Sequence, residues 1–249
     1  MTFRDQFSKQ AALYSQCRPG YPPELFDYLA SITPGHSVAW DCATGNGQAA
    51  VPLARFFRQV IATDASPQQI AHAEPHPSIS YRVAPAESSG IAPHSVDLVT
   101  VAQALHWFDV DDFYAEAIRV LLPGGAIAVW GYGDPVVDQP ELQAIAHEFN
   151  RGRMEAYWPP NRDVLLDRYR TLSFPFREIV PPAFELKLRW TLAELAGYFR
   201  TWSATARYVD ERGADPVLEV EQSLARIWGG AATRHRVSWP MYLRAGYSD

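Results

Sequence analysis

Residues 37–50 read Ser37-Val38-Ala39-Trp40-Asp41-Cys42-Ala43-Thr44-Gly45-Asn46-Gly47-Gln48-Ala49-Ala50. Ser37–Asp41 has the composition of a buried strand that ends on an acid. A turn of small residues follows, in which Gly45 and Gly47 let the backbone bend sharply and come close to a ligand. A helix then runs from about Gln48 to Phe57, with Pro52 near its start, where few backbone donors have helical partners to lose. Gly45-x-Gly47-x-x-Ala50 also fits the G-x-G-x-x-A pattern of nicotinamide dinucleotide sites. Two details oppose that reading. The first glycine of that pattern follows the strand almost at once, whereas Cys42, Ala43 and Thr44 separate Asp41 from Gly45. An acid there would also face a pyrophosphate, an unfavourable pairing; it suits a ligand bearing hydroxyls, an ammonium or a sulfonium. Asp64 follows Asp41 by 23 residues and ends the second strand, where an acid typically accepts both hydroxyls of a ribose.

The alternation of strand and helix continues on both sides. Residues 1–20 are polar with scattered aromatics, Phe3, Phe7 and Tyr14. Pro22 and Pro23 open a helix whose Leu25, Phe26, Leu29 and Ile32 share a face, and Pro34-Gly35 stops it. Val60–Asp64, Ile79–Val83, Val96–Ala102 and Ala126–Trp130 read as further strands, and Ser66 can cap the helix after the second. A helix starting at Asp109 or Asp111 carries Phe113, Ala117, Val120 and Leu121 on one face, until Pro123-Gly124-Gly125 ends it. Strands this apolar, alternating with helices, imply a parallel sheet covered on both faces. The rhythm breaks after Gly131. Residues 138–173, Thr191–Thr205 and Pro216–Trp228 look helical, and Phe184–Trp190 alternates like a strand. Residues 234–245 suit a final strand in which Pro240 demands a bulge or an unpaired side. The expected division is a core over 1–135, completed by strands near 176–190 and 233–246, with helical cap insertions over 136–175 and 191–232.

The chain has 249 residues, enough for one catalytic domain with a small appended lobe. Hydrophobic residues at 47% and charged ones at 20% supply a core and argue against disorder. Lys and Arg total 22 against 28 Asp and Glu, for a net charge of −6, and no segment concentrates the basic residues. A broad nucleic-acid or anionic-membrane surface is therefore not expected. Cys17 and Cys42 build neither a disulfide framework nor a Cys-rich zinc site. His72 and His76 stand four apart, but Pro75 breaks the helix between them, and no metal is expected. With no signal-like N-terminal segment and no run of 18 apolar residues, the expectation is a soluble, cytoplasmic protein with no obligate protein partner. Five of the eight Trp (Trp158, Trp190, Trp202, Trp228, Trp239) fall in the last 100 residues, which suits a pocket or lid as well as core packing.

Taken together, the motifs resemble the class I S-adenosylmethionine-dependent methyltransferases. Asp41–Gly47 is similar to their acidic-x-Gly-x-Gly-x-Gly motif, with Ala43 in place of the first glycine. Asp64-Ala65-Ser66 matches the ribose-binding end of strand two, and Ala86-Glu87 the pair that borders the adenine. Leu121-Leu122-Pro123-Gly124-Gly125 matches the turn before strand five. This likeness covers roughly residues 35–132. A narrower resemblance, to the type 11 branch and to trans-aconitate methyltransferase-like proteins, rests on Tyr14–Pro22, Ala102–Asp109, Tyr157-Trp158-Pro159-Pro160 and Arg200–Ala204. It implies an α/β, Rossmann-like doubly wound fold: a mostly parallel seven-stranded sheet with a helical C-terminal cap. It also implies that Asp41, Ala43 and the Gly45-Asn46-Gly47 backbone hold the methionine part of S-adenosyl-L-methionine. Asp64 would hold the ribose, with Ala65 and Ser66 alongside, and Ala86 and Glu87 would flank the adenine. Ala102, Gln103 and Ala104 would line the site where strand four ends. Tyr14 and Arg18 would close over the cofactor carboxylate, since Arg suits carboxylates. Trp107, Trp130, Tyr132, Trp158 and Arg200 are the expected walls of an acceptor pocket.

Plainer readings stand beside these. Asp41 can serve the turn and Asp64 can cap a helix; Glu87, before Ser-Ser-Gly, can be a solvated loop acid. The tryptophans can be core, and Arg200 can pair with an acid on the cap surface. His106, beside Trp107, is the candidate base for a hydroxyl or amine acceptor; it can equally hydrogen-bond the loop and position the acceptor. A carboxylate acceptor would need no base. The resulting expectation is methyl transfer from S-adenosyl-L-methionine to a small-molecule acceptor, a carboxylate among the candidates, by in-line displacement. An NAD(P)-dependent oxidoreductase and a non-catalytic cofactor-binding module are the competing readings.

Overall fold

The computed structural model describes residues 17–249. Its first half contains α1 (Pro23–Ile32), β1 (Val38–Cys42), α2 (Ala50–Leu53), β2 (Gln59–Asp64), α3 (Pro67–Ala71), β3 (Ile79–Val83), β4 (Val96–Ala102), α4 (Val110–Val120) and β5 (Leu121–Tyr132). The second half adds β6 (Val136–Val137), α5 (Pro140–Glu148), α6 (Arg162–Leu166), β7 (Arg177–Ile179), β8 (Glu185–Trp190), α7 (Leu192–Arg200), α8 (Ser203–Arg212), α9 (Val217–Trp228) and β9 (His235–Tyr247). Strands β3, β2, β1, β4 and β5 lie parallel in that spatial order. β9 runs antiparallel beside β5, and β7 antiparallel beside β9. The expected doubly wound, mostly parallel sheet is therefore present, with β9 the reversed strand.

Period-two alternation assigns the two faces. Trp40, Cys42, Ile61, Val99, Val101, Ile127 and Val129 point to one side, where Phe113, Tyr114, Ala117 and Val120 of α4 cover them. Ala39, Val60, Ala62, Leu98, Ala126, Ala128 and Trp130 point to the other, under Leu25, Phe26 and Leu29 of α1 and Ala50 and Leu53 of α2. Each fully buried Leu or Phe contributes about 1.5–3 kcal/mol of transfer free energy. At the sheet's base, Asp97 Oδ2 accepts from the amides of Ser37 at 2.9 Å and Val38 at 2.8 Å, fastening the start of β1 to β4.

The cap has its own core. Leu142, Phe149, Leu195, Phe199, Val217, Leu224 and Trp228 pack with Trp190, Trp202 and Trp239. β9 joins the two cores as one strand: residues 241–247 pair with β5, and residues 235–240 pair with β8, while Val237 and Ser238 also meet β6. Pro240 sits at the changeover. It has no amide to give to a ladder, and its carbonyl accepts from Gly133 at 3.0 Å.

Several elements differ from expectation. Glu185–Trp190, expected to complete the core sheet, pairs with the cap half of β9. The helix expected over 48–57 narrows to Ala50–Leu53, because residues up to Gly47 are spent on a turn with left-handed backbone at Ala43, Gly45 and Gly47. The helical stretch expected over 138–173 breaks into α5, a π-helical turn at Phe149–Arg153, a short 3₁₀ turn and α6, with Pro159-Pro160 before the last. No helix among the described residues is long and apolar enough to cross a membrane.

Removing the Asp97 carboxylate leaves two backbone donors without their partner. Asp97→Ala should lower the unfolding free energy by about 2 kcal/mol in urea titration; an unchanged midpoint would contradict the fastening role.

Candidate active site

The tip of β1 carries Asp41, which is fully buried. Its Oδ2 accepts from Thr44 Oγ1 at 2.5 Å and its Oδ1 from Thr100 Oγ1 at 2.8 Å. The backbone of Ala50, at the start of α2, donates to it as well. Register explains the Thr100 contact, because Asp41 lies directly beside Thr100 of β4. Burial pushes the Asp41 pKa up from 3.8 to about 6; the two hydroxyls and the amide pull the other way, and the nearby Asp64 charge adds to the rise. The sequence reading had this carboxylate facing a ligand. Its partners here are Thr44 of the loop, Thr100 of β4 and the Ala50 amide of α2, so it braces the loop.

The loop above it is built on left-handed backbone. Ala43 has φ +54°, Gly45 φ +58° and Gly47 φ +96°. A Cβ on Gly47 would lie 2.5 Å from the Tyr81 hydroxyl, so that position requires glycine. At Gly45 a Cβ would meet nothing nearer than Gln69 Oε1 at 3.9 Å, so a ligand can approach the backbone there. Ala43 occupies left-handed space without a glycine's freedom, at a cost of about 1 kcal/mol. The half-buried Asp64 braces the same loop: its Oδ2 accepts from the Gly45 amide at 2.9 Å and its Oδ1 from the Ser66 amide at 2.8 Å. Ser66 caps α3 by accepting from Gln69 N at 3.3 Å. A carboxylate has about four acceptor sites, so the group that braces the loop can also hold a diol.

The remaining expected cofactor residues gather along the same sheet edge. Ala65 follows Asp64 directly, and Ala86 is buried after β3. Glu87 Oε1 accepts from the Asp109 amide at 3.1 Å, which ties its loop to the start of α4. Gln103 follows β4 with φ +57°; its amide donates to the Trp130 carbonyl at 2.8 Å and its side chain to the Tyr132 carbonyl at 3.3 Å. Ala102 and Ala104 flank it. Tyr14 lies outside the described residues. The Tyr81 hydroxyl is buried beside Gly47 without a hydrogen-bond partner among the described residues. Open glycine backbone, a half-buried carboxylate and this hydroxyl fit a ligand that joins a nucleoside to an amino acid.

A cavity of about 100 Å³ adjoins this edge, between β4, β5 and the cap. Its lining includes Arg18, Gln103, His106, Trp107, Tyr132 and Trp158, all singled out from sequence. Arg18 donates to the Tyr132 hydroxyl at 3.0 Å and to Thr201 Oγ1 at 2.9 Å. His106 Nδ1 meets the Tyr169 hydroxyl at 3.3 Å, and burial pulls the imidazole pKa down to about 4. Two expected wall residues stand elsewhere. Trp130 is fully buried on the opposite sheet face, against Tyr21 and Phe26, because it shares strand parity with Ala126 and Ala128. Arg200 pairs with Asp215 and Glu221, each at 2.8 Å, within the cap.

The sequence reading missed Asp134, Arg162 and Tyr198, which also line the cavity. Arg162 donates to Asp134 Oδ1 at 2.6 Å and lies 3.9 Å above the Trp158 ring. Its nearest signal was the Trp158-Pro159-Pro160 segment beside it. His72 and His76 serve local turns, Nδ1 of His72 on the Gln68 carbonyl and Nδ1 of His76 accepting from Ser78. Among the described residues no cluster of three or more His, Cys, Asp or Glu is placed to hold a metal ion.

Two outcomes follow from the loop. The folded state holds the Asp41 proton more tightly than the unfolded chain, so the carboxylate's contribution to stability declines as pH rises from about 4 to about 6. Relative to Asp41→Asn, the wild type should lose on the order of 2 kcal/mol across that window in denaturant titrations; a constant difference contradicts it. Ala43→Gly should raise the melting temperature by about 1–3 °C, the relief of left-handed strain exceeding the entropy glycine loses on folding. A lower melting temperature would refute the strain.

Residues 40–129 match a family whose description is a methyltransferase domain. A Dictyostelium discoideum protein named as a methyltransferase is 30% identical over 247 residues, covering 97% of this chain and 94% of its own length. A solved structure from Anaeromyxobacter dehalogenans, named as a type II methyltransferase, aligns with a TM-score of 0.85 at 43% identity and covers 92% of this chain and 97% of that one. The Haemonchus contortus phosphoethanolamine N-methyltransferase 2, in complex with S-adenosyl-L-methionine, shares the fold at a TM-score of 0.51 and 17% identity, covering 98% of this chain and 58% of that one. The nicotinamide reading of Gly45-x-Gly47-x-x-Ala50 gives way to an enzyme whose cofactor is S-adenosyl-L-methionine. The chain belongs to the class I S-adenosylmethionine-dependent methyltransferases, in their type 11 branch.

Proposed function

We propose that the chain methylates a small molecule at an oxygen of a carboxylate held in the cavity beneath the cap. The observation that carries this reading is the lining: the Arg162 guanidinium among aromatic walls, with no side chain among the described lining residues suited to remove a proton. Asp134 is bound by Arg151 at 2.8 Å and Arg162 at 2.6 Å. His106 is a poor base with its pKa pulled to about 4, and burial pushes the Tyr198 phenol upward. An acceptor that arrives already ionised needs no base, and a guanidinium suits a carboxylate. A cavity of about 100 Å³ supports a small acceptor.

When bound, S-adenosyl-L-methionine supplies an activated methyl group, so the protein's part is orientation and a dry site. In this reading the Gly45-Asn46-Gly47 backbone holds the methionine part and Asp64 the ribose, with Ala65 and Ser66 beside it. Ala86 and Glu87 border the adenine, and Ala102, Gln103 and Ala104 line the turn toward the acceptor. Arg18, with Tyr14, serves the cofactor carboxylate. Asp41 acts one step back, fixing the loop through Thr44, Thr100 and the Ala50 amide. Trp107, Tyr132 and Trp158 wall the acceptor, and Arg162 aligns its charge. The cap helices exclude water from the cavity.

Carboxylic acids, phenols and amines should be screened for release of S-adenosylhomocysteine. Turnover confined to carboxylic acids is expected. Arg162→Gln should raise the acceptor KM by about tenfold or more, roughly the loss of one charge-assisted pair, while calorimetric affinity for S-adenosyl-L-methionine stays within about twofold. Turnover confined to phenols or amines would overturn the acceptor assignment.

A further inference from the structure

His106 and Tyr169 meet where core and cap touch, 63 residues apart in sequence. His106 lies in the short 3₁₀ turn Leu105–Trp107 after β4 and lines the cavity. Tyr169 follows α6 and is fully buried. Their rings are 22° from parallel, and the Tyr169 hydroxyl is 3.3 Å from His106 Nδ1, its hydrogen-bond partner among the described residues. A buried hydroxyl proton without an acceptor carries a desolvation cost. The arrangement that satisfies this proton has the hydroxyl donating and Nδ1 accepting. A neutral imidazole that accepts at Nδ1 carries its proton on Nε2, and burial keeps this ring neutral.

The segment that delivers Tyr169 is held at several points. Asn161 Nδ2 donates to the His106 carbonyl at 2.8 Å, so the same stretch grips both the backbone and the ring of His106. Arg244 of β9 donates to the carbonyls of Tyr169 at 2.8 Å and Leu172 at 3.0 Å. Arg168 and Tyr169 both lie in left-handed backbone, with φ +61° and +59°. Two consecutive bulky residues adopt that conformation only where the surroundings impose it, and such strain concentrates at functional sites.

We propose that Tyr169 is a positioning residue that fixes His106 as the Nε2–H tautomer, so that His106 donates a hydrogen bond to the acceptor instead of taking its proton. The inference rests on the methyl-transfer reading of the cavity and specifies how that cavity recognises its acceptor. One carboxylate oxygen accepts from His106 Nε2–H. The other gives its electron pair to the methyl carbon as the carbon–sulfur bond breaks toward sulfur, and no proton changes hands. A hydroxyl acceptor would have to lose its proton, and this tautomer offers nothing to receive it.

Long-range ¹⁵N–¹H spectra of the full chain at neutral pH, with the His106 resonances assigned by their loss in His106→Gln, should show Nε2 protonated and Nδ1 bare. Tyr169→Phe should mix the tautomers and raise the acceptor KM by about five- to tenfold, with affinity for S-adenosyl-L-methionine unchanged. His106→Gln places an amide donor near the position of Nε2 and should keep kcat within about tenfold of wild type, whereas His106→Ala should lose about a hundredfold. An Nδ1–H ring in the wild type, or a Gln variant as slow as the Ala variant, overturns the proposal. The tautomer is read without turnover. A chain that binds no S-adenosyl-L-methionine therefore contradicts the methyl-transfer reading while leaving the His106 assignment open to its own measurement.

Discussion

A carboxylate with no exposed surface organises the molecule. Burying Asp41 at the tip of β1 carries a desolvation cost of several kcal/mol, offset in part by hydrogen bonds from Thr44, Thr100 and the Ala50 amide. Those three partners come from the glycine loop, the neighbouring strand and the start of α2. One buried charge therefore fixes the relative placement of the three elements that form the proposed methionine end of the cofactor site. Asp64 repeats the device one strand over, bracing Gly45 and Ser66. The loop between the two acids can then hold left-handed backbone at Ala43, where the motif it resembles has a glycine.

Acids that look like ligand contacts from sequence can thus be scaffolding first. The two roles differ in burial: Asp41 is sealed, and Asp64 keeps part of its surface in the open. Electrostatics at the tips is graded accordingly. The inner charge shapes the loop, and the outer one, in the proposed reading, is left to meet a ribose. In the proposed acceptor cavity the same logic runs with cations. Arg162 rests on Trp158 and Asp134, so its guanidinium is already oriented before any acceptor arrives.

Much of the sheet was legible because its strands are short runs rich in β-branched and apolar residues. Val96–Ala102 and Ile79–Val83 coincide with β4 and β3 residue for residue. Loop-tip residues were legible for the same reason, since a parallel sheet places every strand end on one edge. Side-chain partnerships across long separations were not. Arg200 and Arg162 look alike in sequence, yet Arg200 meets Asp215 and Glu221 while Arg162 turns into the cavity. Trp130 could have been assigned correctly by counting in twos along β5, which puts it with Ala126 and Ala128 under α1. The breaks inside residues 138–173 were signalled by Gly152 and Pro159-Pro160, but mixed aromatic and charged residues hid them.

The sharing of β9 between the two cores also bears on biogenesis. During vectorial synthesis the edges of β5 and β8 have no partner until residues 235–247 have been made. Both stay open to mispairing in that interval. Tyr198, which lines the proposed acceptor cavity from the cap, packs against Trp239 of β9 and lacks that partner until then. A lesion in β9 would accordingly be felt as failed maturation of the whole enzyme, not as a local weakness of its cap.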